Sequence, residues 1–220
     1  SHRSELLKSN VVKFNTTKGT NENIFYSINE INTAIEKGYK VSFEYFDFDI
    51  NHNRVYRREG KRYFVNPLAT IFDDDNYYLI CYYAKHEDVV HYRIDRMDHV
   101  EMVCDQPKEP FKGDSFDLKH HKRTLFGMFQ GNEVQVEFRV HKTLLDTVFD
   151  VFGDTIELND EGNDYVGFRA AVQQSTVFYG WCLSFGDKIQ VIGPNEVVEK
   201  LAVYLREMDQ RYNSTREIKK

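Results

Sequence analysis

Cysteine is scarce and unpaired in this chain. Cys81, Cys104 and Cys182 are odd in number and far apart, and no CxxC pair exists. That excludes a disulfide framework and is the pattern of a reducing compartment, so a cytoplasmic location is expected. Long apolar runs are missing too. No stretch approaches the roughly 20 residues of a membrane span, and no signal peptide is visible, so no membrane partner is expected. The sequence lacks a nucleophile elbow, a phosphate-binding glycine loop and an HExxH helix. Asp95 between Arg93 and Arg96 reads as a positioning ion pair rather than a catalytic acid. The adjacent His120 and His121 point apart on any regular structure, with no acid or Cys at ligand spacing. The expectation is therefore no enzyme, no cofactor and no metal. A formal charge of −6 argues against non-specific coating of nucleic acid.

What is abundant is aromatic: 17 Phe and 14 Tyr against one Trp. Such an excess fits a β-rich core or stacking surfaces for bases. It concentrates between Asn76 and Met97. Tyr77 to Tyr83 holds four tyrosines with Leu79, Ile80 and Cys81 and reads as a strand, and Ala84 to Asp88 reads as a hairpin loop. Val89 to Asp95 then alternates. Val90, Tyr92 and Ile94 are expected to face a core, while His91 and Arg93 share the other face, roughly 7 Å apart. Tyr78, Ile80 and Tyr82 share a face of the preceding strand, so Tyr78 or Tyr82 can flank Arg93 across the hairpin. A second basic stretch runs from Arg54 to Arg62 with a single acid, Glu59. It reads either as a solvated loop or as a local patch, and a patch on an acidic chain favours a confined anion over a long polyanion.

Tyr77-Tyr78-Leu79 followed by His91-Tyr92-Arg93-Ile94-Asp95-Arg96-Met97 resembles the WYL domain of bacterial transcriptional regulators, with Tyr77 where the family has its Trp. Lys61 to Leu68 is similar to the segment that precedes this triplet. The family often carries an Arg four residues before Pro67; Tyr63 stands there, with Arg62 beside it. Phe178-Tyr179-Gly180-Trp181 and Phe185-Gly186 resemble the WCX-type extension that commonly follows. The resemblance, over roughly residues 24 to 208, implies an effector-sensing and dimerisation fragment. Its ligand would be a nucleotide or short single-stranded nucleic acid at Tyr78, His91, Arg93 and Arg96, with Arg62 and Tyr63 at the site's edge. It also implies a homodimer, and contact with duplex DNA only through a winged helix-turn-helix that this sequence lacks. The alternative is a purely structural dimerisation or protein-interaction module whose basic residues make internal ion pairs.

The fold class expected is α+β, an SH3/Sm-like barrel followed by a ferredoxin-like domain. Residues 1–26 read as a linker from the absent DNA-binding module, with a short helix end near Leu6 and Leu7, and the opening without Met reads as a truncated start. Residues 27–111 form the barrel. Ser27 and Glu30 make a capping box for a helix that Gly38 ends. Val41 to Tyr45 alternates as a strand, and the apolar phase shifts at Phe46, Phe48 and Ile50, as at a bulge. Arg62 to Thr70 follows with a bulge or edge at Pro67, then a tight turn at Asp73 to Asn76, and Val100 to Cys104 is the fifth strand. Residues 112–131 read as a linker with a partial helix. Residues 132–212 read as two βαβ halves in which Phe152-Gly153-Asp154 recurs as Phe185-Gly186-Asp187, each an αL stop. Their strands are expected at Val134 to Val140, Thr155 to Leu158, Tyr165 to Val172 and Lys188 to Ile192, with a frayed tail after Tyr212.

Overall fold

An apolar stripe at Ile24, Ile28, Ile31 and Ile35 builds the first helix, α1 (Glu22–Lys37), and Gly38 at φ 73° ends it. The helix starts five residues before the expected cap because Ile24 continues the period. Ser27 is therefore no cap: it lies inside the helix and is buried. The computed structural model describes residues 22–84, 89–111, 116–129 and 131–218. The expected helix end near Leu6, and most of the loop from Ala84 to Asp88, lie outside the described residues. The chain divides into two units, residues 1–112 and 113–220.

In the first unit a curled antiparallel sheet carries β1 (Tyr39–Phe48), β2 (Arg54–Tyr56), β3 (Tyr63–Asp73), β4 (Asn76–Tyr82), β5 (Val89–Arg93) and β6 (Met97–Pro107). Its order is β2-β1-β3-β4-β5, with β6 paired to β1. A left-handed turn at Arg57–Gly60 and a short 3₁₀ turn at Ile94–Arg96 bend the chain after β2 and β5. Pro67 sits at a register shift between β3 and β4, where its missing N–H is tolerated. The core stacks Phe43 on Tyr63 at 5.4 Å and 1° between planes, with Tyr92 edge-on to both. Helix α1 crosses this core, and Asn32 Oδ1 accepts from the Thr70 hydroxyl at 2.9 Å.

The phase shift in β1 has another cause than the one expected. The bulge against β6 lies upstream, between Ser42 and Glu44. Side chains after it keep alternating. Phe43 and Tyr45 enter the core, while Phe46 and Phe48 make a separate aromatic patch with Tyr56.

The second unit begins with α2 (Leu118–Thr124), capped by Asp117, whose carboxylate accepts from the backbone N–H of Lys119 and His120. Then come β7 (Glu133–His141), α3 (Leu145–Phe152), β8 (Leu158–Gly162), β9 (Tyr165–Gln173), α4 (Thr176–Leu183), β10 (Ile189–Gly193) and α5 (Asn195–Ile218). The sheet is antiparallel throughout, in the order β10-β7-β9-β8. Its core stacks Phe138 on Phe168 at 4.7 Å and adds Phe152, Phe178 and Phe126. Ser175 Oγ caps α4 by accepting from Phe178 N at 3.1 Å.

Three expectations fail here. The strand expected at Thr155 to Leu158 is displaced: β8 runs Leu158–Gly162, a polar edge strand closed by Asn163 and Asp164, both at positive φ. Gly153 has φ 86° and ψ 165°, a mirror-extended stop that its lack of a side chain allows, rather than an αL one. The last helix continues to Ile218 instead of fraying at Tyr212.

Candidate anion-binding rim

The β4–β5 register sets Tyr78 opposite Arg93 and Ile80 opposite His91. Tyr78 stays half-buried, and burial raises its phenol above the ordinary range, against the pull of the Arg93 charge. The rest of that face is closed. Ile80 and Tyr82 are buried, the Tyr82 hydroxyl donates to the Glu109 carbonyl, and its ring packs on Phe111 at 4.9 Å. Tyr82 therefore cannot flank Arg93 and stands opposite Val89 instead.

Arg93 is held from within the protein. Its Nε donates to Asp95 Oδ1 at 2.9 Å, and its Nη2 donates to Asp95 Oδ2 at 2.7 Å and to Asn76 Oδ1 at 2.6 Å. Hydrogen bonding to Asp95 raises the Arg93 pKa further, so the guanidinium stays charged. Its backbone N–H donates to the Tyr45 hydroxyl at 3.3 Å. Arg96 differs. Its guanidinium lies 4.5 Å from the Phe48 ring centroid, and an Asp95 oxygen is 3.9 Å from its Nε, beyond hydrogen-bond range. That Nε is buried with no hydrogen-bond partner.

Arg62 and Tyr63 part company. Arg62 Nη2 reaches Ser42 Oγ at 2.9 Å, the His99 carbonyl and Glu101 Oε2 at 2.9 Å, tying β1 to β6. Tyr63 is core, and Arg58 rests 4.2 Å from its ring centroid. Neither of the two hydrogen-bonds to the Arg93–Arg96 group among the described residues.

The structure adds residues that were noticed only as a basic stretch. Arg54 lies over Phe46 at 4.5 Å and Arg57 over Tyr45 at 5.1 Å. Arg57 also donates to both oxygens of Asp47, at 2.6 and 2.9 Å, which holds Asp47 below the usual carboxylate range. Arg54 pairs with Asp98, which also accepts from the Tyr56 hydroxyl at 2.7 Å. Arg54, Arg57 and Arg93 are thus each paired with a carboxylate, on Asp98, Asp47 and Asp95 respectively. Arg58 and Arg96 have no hydrogen-bonded carboxylate among the described residues. Guanidinium groups on aromatic faces can accept a phosphate on the fork and a base on a ring. Burial pushes the Cys182 thiol up to about 12 and Cys81 higher still, so these two thiols are poor nucleophiles.

Residues 27–102 match the WYL domain family, and residues 132–208 match the WCX domain family. No curated protein sequence matches the chain. Among solved structures it is similar to proteasome accessory factor B/C (PafBC) of Arthrobacter aurescens, at 14% identity and a TM-score of 0.36. That match covers 84% of this chain and 27% of the other. It is also similar to a CRISPR Cas-related protein, at 16% identity and a TM-score of 0.45, over 87% of this chain and 53% of the other. The chain therefore spans about a quarter of the first of these proteins and about half of the second. With one family covering the tyrosine hairpin and most of the curled sheet around it and the other the βαββαβ unit, the chain belongs to the WYL-domain family, in its form with a WCX extension.

Proposed function

We propose that this chain is the effector-sensing part of a bacterial transcriptional regulator, and that its arginine–aromatic rim takes a nucleotide or a short single-stranded nucleic acid. WYL and WCX domains are those of regulatory proteins. The observation that carries the reading is that Arg58 and Arg96 are each set on an aromatic face without a hydrogen-bonded carboxylate among the described residues. In this reading each of the two arginines takes a phosphate of its own, Tyr78 offers a face to a base, and His91 borders the site. Arg93 acts as a positioning residue that fixes Asp95. Arg62 braces β1 against β6, and Tyr63 is the platform under Arg58. The curled sheet is read as an SH3/Sm-like barrel. The βαββαβ order with its strand order is read as ferredoxin-like. The second unit serves dimerisation, duplex DNA is read by a module outside this sequence, and the protein works in the cytoplasm.

One observation favours the alternative of a protein-interaction module without a small ligand: Arg93 and Arg62 spend their donors on internal partners. Fluorescence polarisation separates the two readings. Labelled single-stranded oligonucleotides and mononucleotides are titrated into the chain at two salt concentrations. Saturable binding that weakens with salt, and drops about tenfold (about 1.4 kcal/mol) in Arg96→Ala and in Arg58→Ala, supports sensing. Flat traces from a folded protein would leave the interaction module.

A further inference from the structure

The second unit holds a cleft of about 700 Å³, within the usual range for small-ligand sites. It is lined by three separate pieces of that unit: α2, the sheet, and the loop that follows α3. Its basic side chains are His120, Arg123 and Arg169; Glu157 is the one carboxylate among the described lining residues. Two of the bases are already engaged by acids outside the lining. His120 Nε2 is 3.1 Å from Glu133, and Arg169 Nη2 is 2.6 Å from Glu137. Arg123 has no hydrogen bond or ion pair among the described residues.

Arg123, though exposed, rests against the end of α3. Its Cζ is 3.4 Å from where a Cβ on Gly153 would stand, so the guanidinium lies against a glycine whose φ of 86° already disfavours any other residue. Gln135 and Asn159 line the same cleft with amide groups, and Phe152 and Ile156 give it an apolar wall. A cation free of hydrogen-bonded partners among the described residues, nearby amides and an apolar wall in one concave space are the elements of a small-molecule site.

We propose that this cleft is a second ligand site, distinct from the rim on the first unit, that takes a small organic anion: a carboxylate or phosphate on Arg123, with an apolar body against Phe152 and Ile156. The site makes the second unit a sensor in its own right, and it does not depend on the rim reading.

The single Trp provides the readout. Trp181 packs edge-on to Phe152, with ring centroids 5.6 Å apart, so a ligand against Phe152 alters its surroundings. Phenyl phosphate, phenylacetate and inorganic phosphate are titrated into the full chain by calorimetry and by Trp181 emission. Saturable binding of phenyl phosphate or phenylacetate, tighter than inorganic phosphate, is expected, and whichever aromatic anion binds better identifies the head group. Arg123→Gln is expected to weaken it at least tenfold. Ala171→Phe, which fills the cleft and keeps Arg123, is expected to abolish it with the circular dichroism spectrum unchanged. Arg96→Ala should leave it intact. Absence of saturation with both aromatic anions, binding unchanged in Arg123→Gln, or equal loss in Arg96→Ala each overturns the proposal. Binding here beside flat oligonucleotide traces would sink the rim reading alone, and the reverse result would sink the cleft alone.

Discussion

A guanidinium offers five N–H donors, and Arg93 spends three of them on Asp95 and Asn76. The same Asp95 stands 3.9 Å from Arg96, close enough to attract but not to hydrogen-bond. One carboxylate therefore acts on two arginines of the proposed site. Asp95→Asn keeps the shape and removes the charge. The half-buried pair should lose about 1–2 kcal/mol of stability, since both side chains are partly solvated. The rim gains a positive charge, so an anionic oligonucleotide should bind about three- to tenfold tighter at low salt. Urea unfolding and polarisation on the same variant measure the two effects. Weaker binding with near-native stability would mean that Asp95 itself holds the ligand's contacts in place, contrary to this assignment.

Among the elements, those built on local periodicity were readable and those built on long-range register were not. The tyrosine hairpin carries its pattern in consecutive residues, and Tyr78 meets Arg93 because two-residue alternation on both strands demands a matching register. The rim is different. It depends on Phe46 pairing with Tyr56 and Phe48 with Arg54, and on Arg58 and Glu59 adopting φ of 52° and 56° in the turn. Residue propensities disfavour that left-handed turn, and no local pattern announces it. Strand β8 was misplaced for a related reason: Leu-Asn-Asp-Glu-Gly has no strand composition, and pairing with β9 alone makes it one. By contrast, the aspartate turn was legible from its residues. Asp74 and Asp75, at φ 43° and 59°, join Asp73 to Asn76 as a two-residue hairpin loop. Positive φ at both positions is the geometry that Asn-Gly satisfies best. The double change Asp74→Asn, Asp75→Gly should stabilise the chain by about 1 kcal/mol by relieving left-handed strain. A higher urea midpoint with an unchanged slope confirms it. A lower midpoint would show that the acidic turn makes contacts the native fold needs.

At the scale of the whole chain, the two units close separate cores. Phe43, Tyr63 and Tyr92 belong to one, Phe138, Phe168 and Phe178 to the other, and among the described residues no buried residue is shared. A core that shares no side chains with its neighbour can lose stability without drawing the other down. The residues themselves supply the means of telling them apart. The single Trp lies in the second unit, packed against Phe126 and Phe185, while ten of the 14 tyrosines lie in the first. Phe43→Ala removes a ring that is fully buried among three aromatic neighbours, which costs about 3–5 kcal/mol. In urea unfolding, that variant should shift the tyrosine near-ultraviolet signal to lower denaturant while the Trp181 emission transition stays put. The result would mean that a ligand on the rim stabilises the first unit alone, and that one in the cleft stabilises the second. Two input signals could then act on one regulator through separate equilibria. A Trp181 transition that moves together with the tyrosine signal would instead make the chain one cooperative body, in which either ligand stabilises the whole.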